Sequence, residues 1–143
     1  MFYEQQGDTY IMRFEEGEVF PDRLLQFVAD QGISAGSFTG IGALKQFEIA
    51  YFDIAQKEYL DRRFDEQVEV LALVGNVAMH EGDAVVHAHI TVGRRDYAVL
   101  GGHLRSGVVR PTLEVTLQRY FEPMQRKIDP AFGLPGLDLR KRF

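Results

Sequence analysis

The sequence predicts an α+β fold, a mainly antiparallel β-sheet with one α-helix packed on it. Three observations carry that expectation. Short runs of alternating apolar and polar residues recur along most of the chain. One stretch near the beginning shows helical spacing instead. The links between the runs are short, as in hairpins.

Each element follows from its own pattern. A first strand is expected over residues 9–14, where Tyr10, Met12 and Phe14 alternate with Ile11 and Arg13. Glu15-Glu16-Gly17-Glu18 turns the chain. Pro21 suits the first turn of a helix. Phe20, Leu24, Phe27 and Val28 then follow at helical spacing, with Asp22, Arg23, Gln26 and Asp30 opposite, and Gly32 is a natural stop. A short strand of small residues is expected at 34–38. Further on, Phe47, Ile49, Tyr51 and Asp53 alternate with Glu48, Ala50 and Phe52. Residues 67–78 are rich in Val and Leu, and Gly75 reads there as a bulge. Glu81-Gly82-Asp83 is a tight hairpin signal. Strands at 84–92, 97–100 and 107–118 complete the series. From Arg119 the chain is rich in Pro and Gly and is expected to wrap the surface. The expected organisation is one domain over 1–143, with its core at about 8–120 and a tail from 121 to 143.

Composition agrees with a folded domain and removes several functions. The 143 residues are 45% hydrophobic and include 11 Phe and 6 Tyr, enough apolar mass for a core. There is no cysteine, which excludes disulfides, thiolate metal sites and a cysteine nucleophile. The opening residues lack the pattern of a signal peptide, and no apolar run approaches the ~20 residues of a membrane helix. A reducing cytoplasm is the expected compartment. With 16 Lys and Arg against 21 Asp and Glu, the net charge is −5. Phosphate neutralisation needs clustered basic residues, so nucleic-acid binding is disfavoured. The basic cluster Arg140-Lys141-Arg142 reads as a solvated tail.

Three of the four histidines fall between Val86 and Leu104. His87 and His89 are two apart in a strand, so both rings point to one face. Val86, Ala88, Ile90 and Val92 fill the other face. Gly93-Arg-Arg-Asp96 reads as a hairpin turn that returns His103 beside the pair. Three histidines with an open position commonly hold catalytic zinc. Imidazole equally suits nickel, copper and iron, so the spacing alone does not choose the metal. The spacing is also compatible with two solvent-facing residues on a polar strand face. Glu114 shares a face with Thr112 and Thr116. It is a candidate to orient a ligand histidine or shuttle a proton, or else to pair with Arg105 or Arg110. His80 reads as exposed at a hairpin tip. Thr39-Gly-Ile-Gly-Ala43 lacks the third glycine and the helix of a dinucleotide loop, and reads as a tight turn between strands.

The residues Gly75-Asn76-Val77, His87-Ala-His89, Gly101-Gly-His-Leu104, Gly107 and Thr112-Leu-Glu114 together resemble the PPC (plants and prokaryotes conserved) domain. Thr39-Gly-Ile-Gly-Ala-Leu44 and Asp129-Pro-Ala-Phe-Gly-Leu134 extend the likeness over nearly the whole chain. The resemblance implies a homotrimer of this α+β domain. It also implies a divalent metal, with zinc the expected ion, on His87, His89 and His103. A small-molecule binder or metal-dependent enzyme is the function it favours, and metal-assisted hydrolysis, lyase chemistry and ligand capture all stay open. Prokaryotic members often carry a provisional DNA-binding label, so a DNA-binding or regulatory protein is the alternative. Plant members have an AT-hook with an Arg-Gly-Arg core, which this chain lacks. Their Gly-Arg-Phe-Glu-Ile-Leu partner-binding stretch corresponds to Glu66-Gln-Val-Glu-Val-Leu71, which matches only in its second half.

Overall fold

A computed structural model describes residues 1–139. The basic cluster at 140–142 lies outside the described residues. Among the described residues, ten strands and one helix follow in order. They are β1 (Phe2–Gln6), β2 (Thr9–Phe14), β3 (Val19–Phe20), α1 (Asp22–Asp30), β4 (Gly36–Asp53) and β5 (Glu58–Phe64). Then come β6 (Val68–His80), β7 (Asp83–Gly93), β8 (Val99–Arg119), β9 (Arg126–Asp129) and β10 (Leu134–Leu137).

The main sheet runs β1-β2-β8-β7-β6-β4-β5, with β3 also on β8. Its pairings are antiparallel. An additional pairing of β4 with β8 closes β4, β6, β7 and β8 into a ring. The strand alternation sorts the side chains. Tyr10, Met12 and Phe14 of β2, Ala88, Ile90 and Val92 of β7, and Leu113, Val115 and Leu117 of β8 all point inward. The apolar stripe of α1, Leu24, Phe27 and Val28, is buried with them. Edge-to-face contacts link Phe14, Phe20 and Phe38 at 5.7 and 5.8 Å between ring centres, each adding about 1 kcal/mol beyond burial.

The α+β architecture is the expected one, and several boundaries are not. The sheet gains β1 before the expected first strand. Thr39–Ala43 is not a turn between strands, because β4 runs through it unbroken with a register shift at Gly40/Gly42. A side chain at Gly42 would meet the Thr112 carbonyl oxygen at 2.3 Å. That glycine lets β8 pass close by. Gly75 is not a bulge either. It pairs regularly with Ala88, and a Cβ there would lie 2.3 Å from the Phe38 ring. The stretches expected at 97–100 and 107–118 are one strand, β8, which begins only at Val99 because Tyr97 turns with φ of +64°. The tail also forms structure, as the antiparallel β9–β10 hairpin.

Candidate metal centre

The hairpin of β7 and β8 sets the three histidines by register. Ala88, Ile90 and Val92 face the core, so His87 and His89 face out on the same side. His103 pairs directly with His89 across β8. Directly opposed residues hold their Cβ atoms about 5 Å apart, so three imidazoles meet on one patch of sheet. Ring centres lie 5.1 Å apart for His87–His89 and His87–His103, and 5.6 Å for His89–His103. The Nε2 atoms of His87 and His89 are 3.2 Å apart. One nitrogen can be chosen from each ring so that all three lie within 4.8 Å of one another. The preceding glycines permit this packing. A Cβ on Gly102 would sit 2.9 Å from the Ala50 carbonyl oxygen of β4, and one on Gly101 would sit 3.0 Å from that of Ile90.

The electrostatics favour neutral rings at His87 and His103, which is the ligand form. Burial lowers the pKa of His87, helped by the nearby Arg126 charge and by His89. Burial also drives His103 down to about 4, with His87, Arg105 and His89 adding to the shift and Asp61 opposing it. His103 Nδ1 is buried with no hydrogen-bond partner among the described residues. Ligation through that atom would satisfy it. Two Nε2 atoms at 3.2 Å suit a shared cation, since tetrahedral zinc at about 2.0–2.1 Å from each nitrogen places its ligands roughly 3.3 Å apart. The donor set therefore fits a divalent metal.

A cleft of about 640 Å³ opens beside His87 and His103. One wall comes from β5. Tyr59 lies 5.2 Å from the His103 ring, Arg105 stacks 4.1 Å above Tyr59, and Arg105 Nε donates to Asp61 at 2.7 Å. The roof is the β9–β10 hairpin. Its Arg126 is only 7% exposed. The guanidinium donates through Nη1 to the Pro135 carbonyl at 2.8 Å and through Nη2 to Asn76 Oδ1. Asn76 pairs across β6–β7 with His87. Burial lowers the Arg126 pKa, and among the described residues its Nε has no partner.

The other expected site residues go elsewhere. Glu114 is exposed on the outer face of β8, among Ile11, Ile41, Leu71 and Val74, and the fold of one chain does not bring it to the histidines. Nor does it pair with the arginines considered for it, since Arg105 holds Asp61 and Arg110 holds Glu16. His80 is half-buried rather than exposed, with Nδ1 3.2 Å from the Arg126 carbonyl oxygen. Sequence reasoning missed Arg126, Asn76, Tyr59 and Asp61. A mid-strand asparagine beside a glycine was the one available signal, because asparagine is depleted in strands. Arg126 had none, in a tail without periodicity.

Comparison with known proteins places this architecture. The Plants and Prokaryotes Conserved (PCC) domain matches residues 1–120. No curated protein sequence matches the chain. A crystal structure from Bacteroides thetaiotaomicron, of a protein provisionally described as DNA-binding, is 34% identical. It has a TM-score of 0.94, with 98% of each chain covered. A plant- and prokaryote-conserved (PPC) protein from Pyrococcus horikoshii is 32% identical with a TM-score of 0.87, over 99% of this chain and 97% of that one. A metal-containing protein from Archaeoglobus fulgidus is 31% identical with a TM-score of 0.85, over 94% of this chain and 96% of that one. Matching the domain over most of its length and sharing its architecture with these relatives, the chain belongs to the Plants and Prokaryotes Conserved domain family.

Proposed function

We propose that the protein binds a divalent metal, zinc in the cell, through His87, His89 and His103, and captures a small molecule in the adjoining cleft. The observation that carries this reading is the convergence of three nitrogens within 4.8 Å on one hairpin. The metal-containing relative from Archaeoglobus fulgidus supports it. A cation held there supplies Lewis acidity at the cleft mouth. Elemental analysis of untagged protein tests the proposal. About one equivalent of metal per chain is expected, and almost none in the His87→Ala, His89→Ala double variant. Equal metal content in both would remove the site.

A homotrimer in the cytoplasm is part of the same proposal. Ile11, Ile41, Leu71 and Val74 are all exposed and lie together across β2, β4 and β6, with Glu114 of β8 among them. A contiguous apolar patch of this kind favours self-association. No helix among the described residues is long and apolar enough to cross a membrane. Light scattering should give three times the chain mass, and Ile41→Glu should shift it to monomer.

DNA binding is the second reading, favoured by the provisional description of the Bacteroides relative. It predicts binding that weakens steeply with salt. The net charge of −5 opposes it. A gel shift at low salt with nonspecific and genomic DNA decides, and an unshifted band ends this reading.

A further inference from the structure

Arg126 is a buried cation in need of an anion. It is 7% exposed, and among the described residues no carboxylate lies within ion-pair distance of it. Its partners are neutral, the Pro135 carbonyl and the Asn76 side chain, and its Nε is unsatisfied. Buried charges are ordinarily paired, because the desolvation cost is otherwise uncompensated. The acids closest to the cleft make their contacts elsewhere. Asp61 accepts from Arg105, and Asp129 accepts from the Ala131 backbone N–H at 2.8 Å in the hairpin turn. Arg126, His87 and His103 line one cleft, and a metal on the three histidines adds further positive charge near the guanidinium. Asp129 also lines the cleft, and the other walls are mostly apolar, from Val85, Phe132, Leu134 and Leu137.

We propose that the cleft takes a small organic monocarboxylate, its carboxylate held between the histidine-bound metal and Arg126 and its apolar part against Phe132, Leu134 and Leu137. The inference rests on the metal-binding reading above. Charge selects the carboxylate, since guanidinium and metal both bind carboxylate oxygens well. The apolar walls select the body, and they disfavour an inorganic anion, which would leave them wet. Arg126 is an anchoring residue here, and no bond in the ligand is made or broken.

Cobalt(II) as the loaded metal gives a visible spectrum that separates the two claims. Cobalt absorption that grows to one equivalent reports the histidine site. A saturable change in that spectrum on adding hexanoate reports the anion. Affinity should rise about fourfold per buried methylene from acetate to hexanoate. Arg126→Met should keep the cobalt spectrum and lose at least tenfold in hexanoate affinity. Phe132 is a partly exposed wall residue, so Phe132→Ser leaves the fold intact and should flatten the chain-length dependence. It decides the matter if Arg126→Met fails to fold. Absence of cobalt absorption sinks the metal reading and this one with it. A cobalt spectrum indifferent to hexanoate, or changed as readily by inorganic phosphate, overturns the carboxylate proposal alone. So does an Arg126→Met variant that binds hexanoate like the parent.

Discussion

The floor of the cleft is one hairpin, while its roof and side wall arrive from two distant parts of the chain. On the floor, His87, His89 and His103 are separated by a single turn, and antiparallel register alone sets them together. The wall, with Tyr59 and Asp61, is an edge strand paired, among the described residues, only to β4. The roof, with Arg126, is tied down by a few contacts. These are the Met79–Gln125 bridge, a 2.8 Å bond from Met79 N–H to the Met124 carbonyl, the bond from Arg126 Nη2 to Asn76 Oδ1, and His80 beneath Arg126. A floor held by a ladder is rigid by construction. A roof held by three or four bonds opens at lower cost. The cleft therefore joins a floor fixed by strand register to a roof that is less firmly tied.

The largest effect should come from disturbing the floor. A Cβ on Gly75 would meet both the Phe38 ring at 2.3 Å and the His87 carbonyl oxygen at 2.4 Å. Gly75→Ala should destabilise the protein by about 3 kcal/mol, the upper end for overpacking, and loosen metal binding with it. Urea unfolding and metal titration check both. A variant as stable as the parent would show that β6 and β7 are less closely held than the floor requires.

A second effect is titratable. Folding lowers the pKa of His87, and that of His103 to about 4, against an ordinary value near 6.5. Between those values the unfolded chain binds more protons, so the stability of the metal-free protein rises with pH through that window and levels off above it. Thermal unfolding of metal-free protein should show Tm falling as pH drops from 7 toward 4. The dependence should be shallower in His103→Ala. Identical pH profiles would mean that burial does not hold the ring neutral.

The smallest effect should come from the roof. His80→Ala removes the contact to the Arg126 carbonyl, and one such hydrogen bond contributes about 1 kcal/mol. Hydrogen exchange should speed up in β9 and β10 while β7 and β8 keep their protection and metal affinity stays within about threefold. Equal loosening of floor and roof would erase the distinction between them.

The same contrast decides what could be read in advance. Periodicity of two placed Ala88, Ile90 and Val92 inward, and so placed His87 and His89 together. The hairpin turn before β8 brought His103 to the expected neighbour. The helix followed from Leu24, Phe27 and Val28. Strand β5 escaped because an edge strand need not alternate. Asp61, Arg62 and Arg63 are consecutive, charged and exposed. The glycines misled in one consistent way. Gly42 and Gly75 look like local breaks in the sequence, whereas each makes room for a distant element, β8 or the Phe38 ring. Arg126 and His80 meet across 46 residues, and no local pattern encodes such a meeting.

X-ray absorption at the zinc edge of the reconstituted, untagged protein tests the centre of this account most directly. Three imidazole nitrogens at about 2.0–2.1 Å are expected, with the characteristic outer-shell scattering of three rings. A shell of two or fewer imidazoles, completed by carboxylate oxygens, would contradict it.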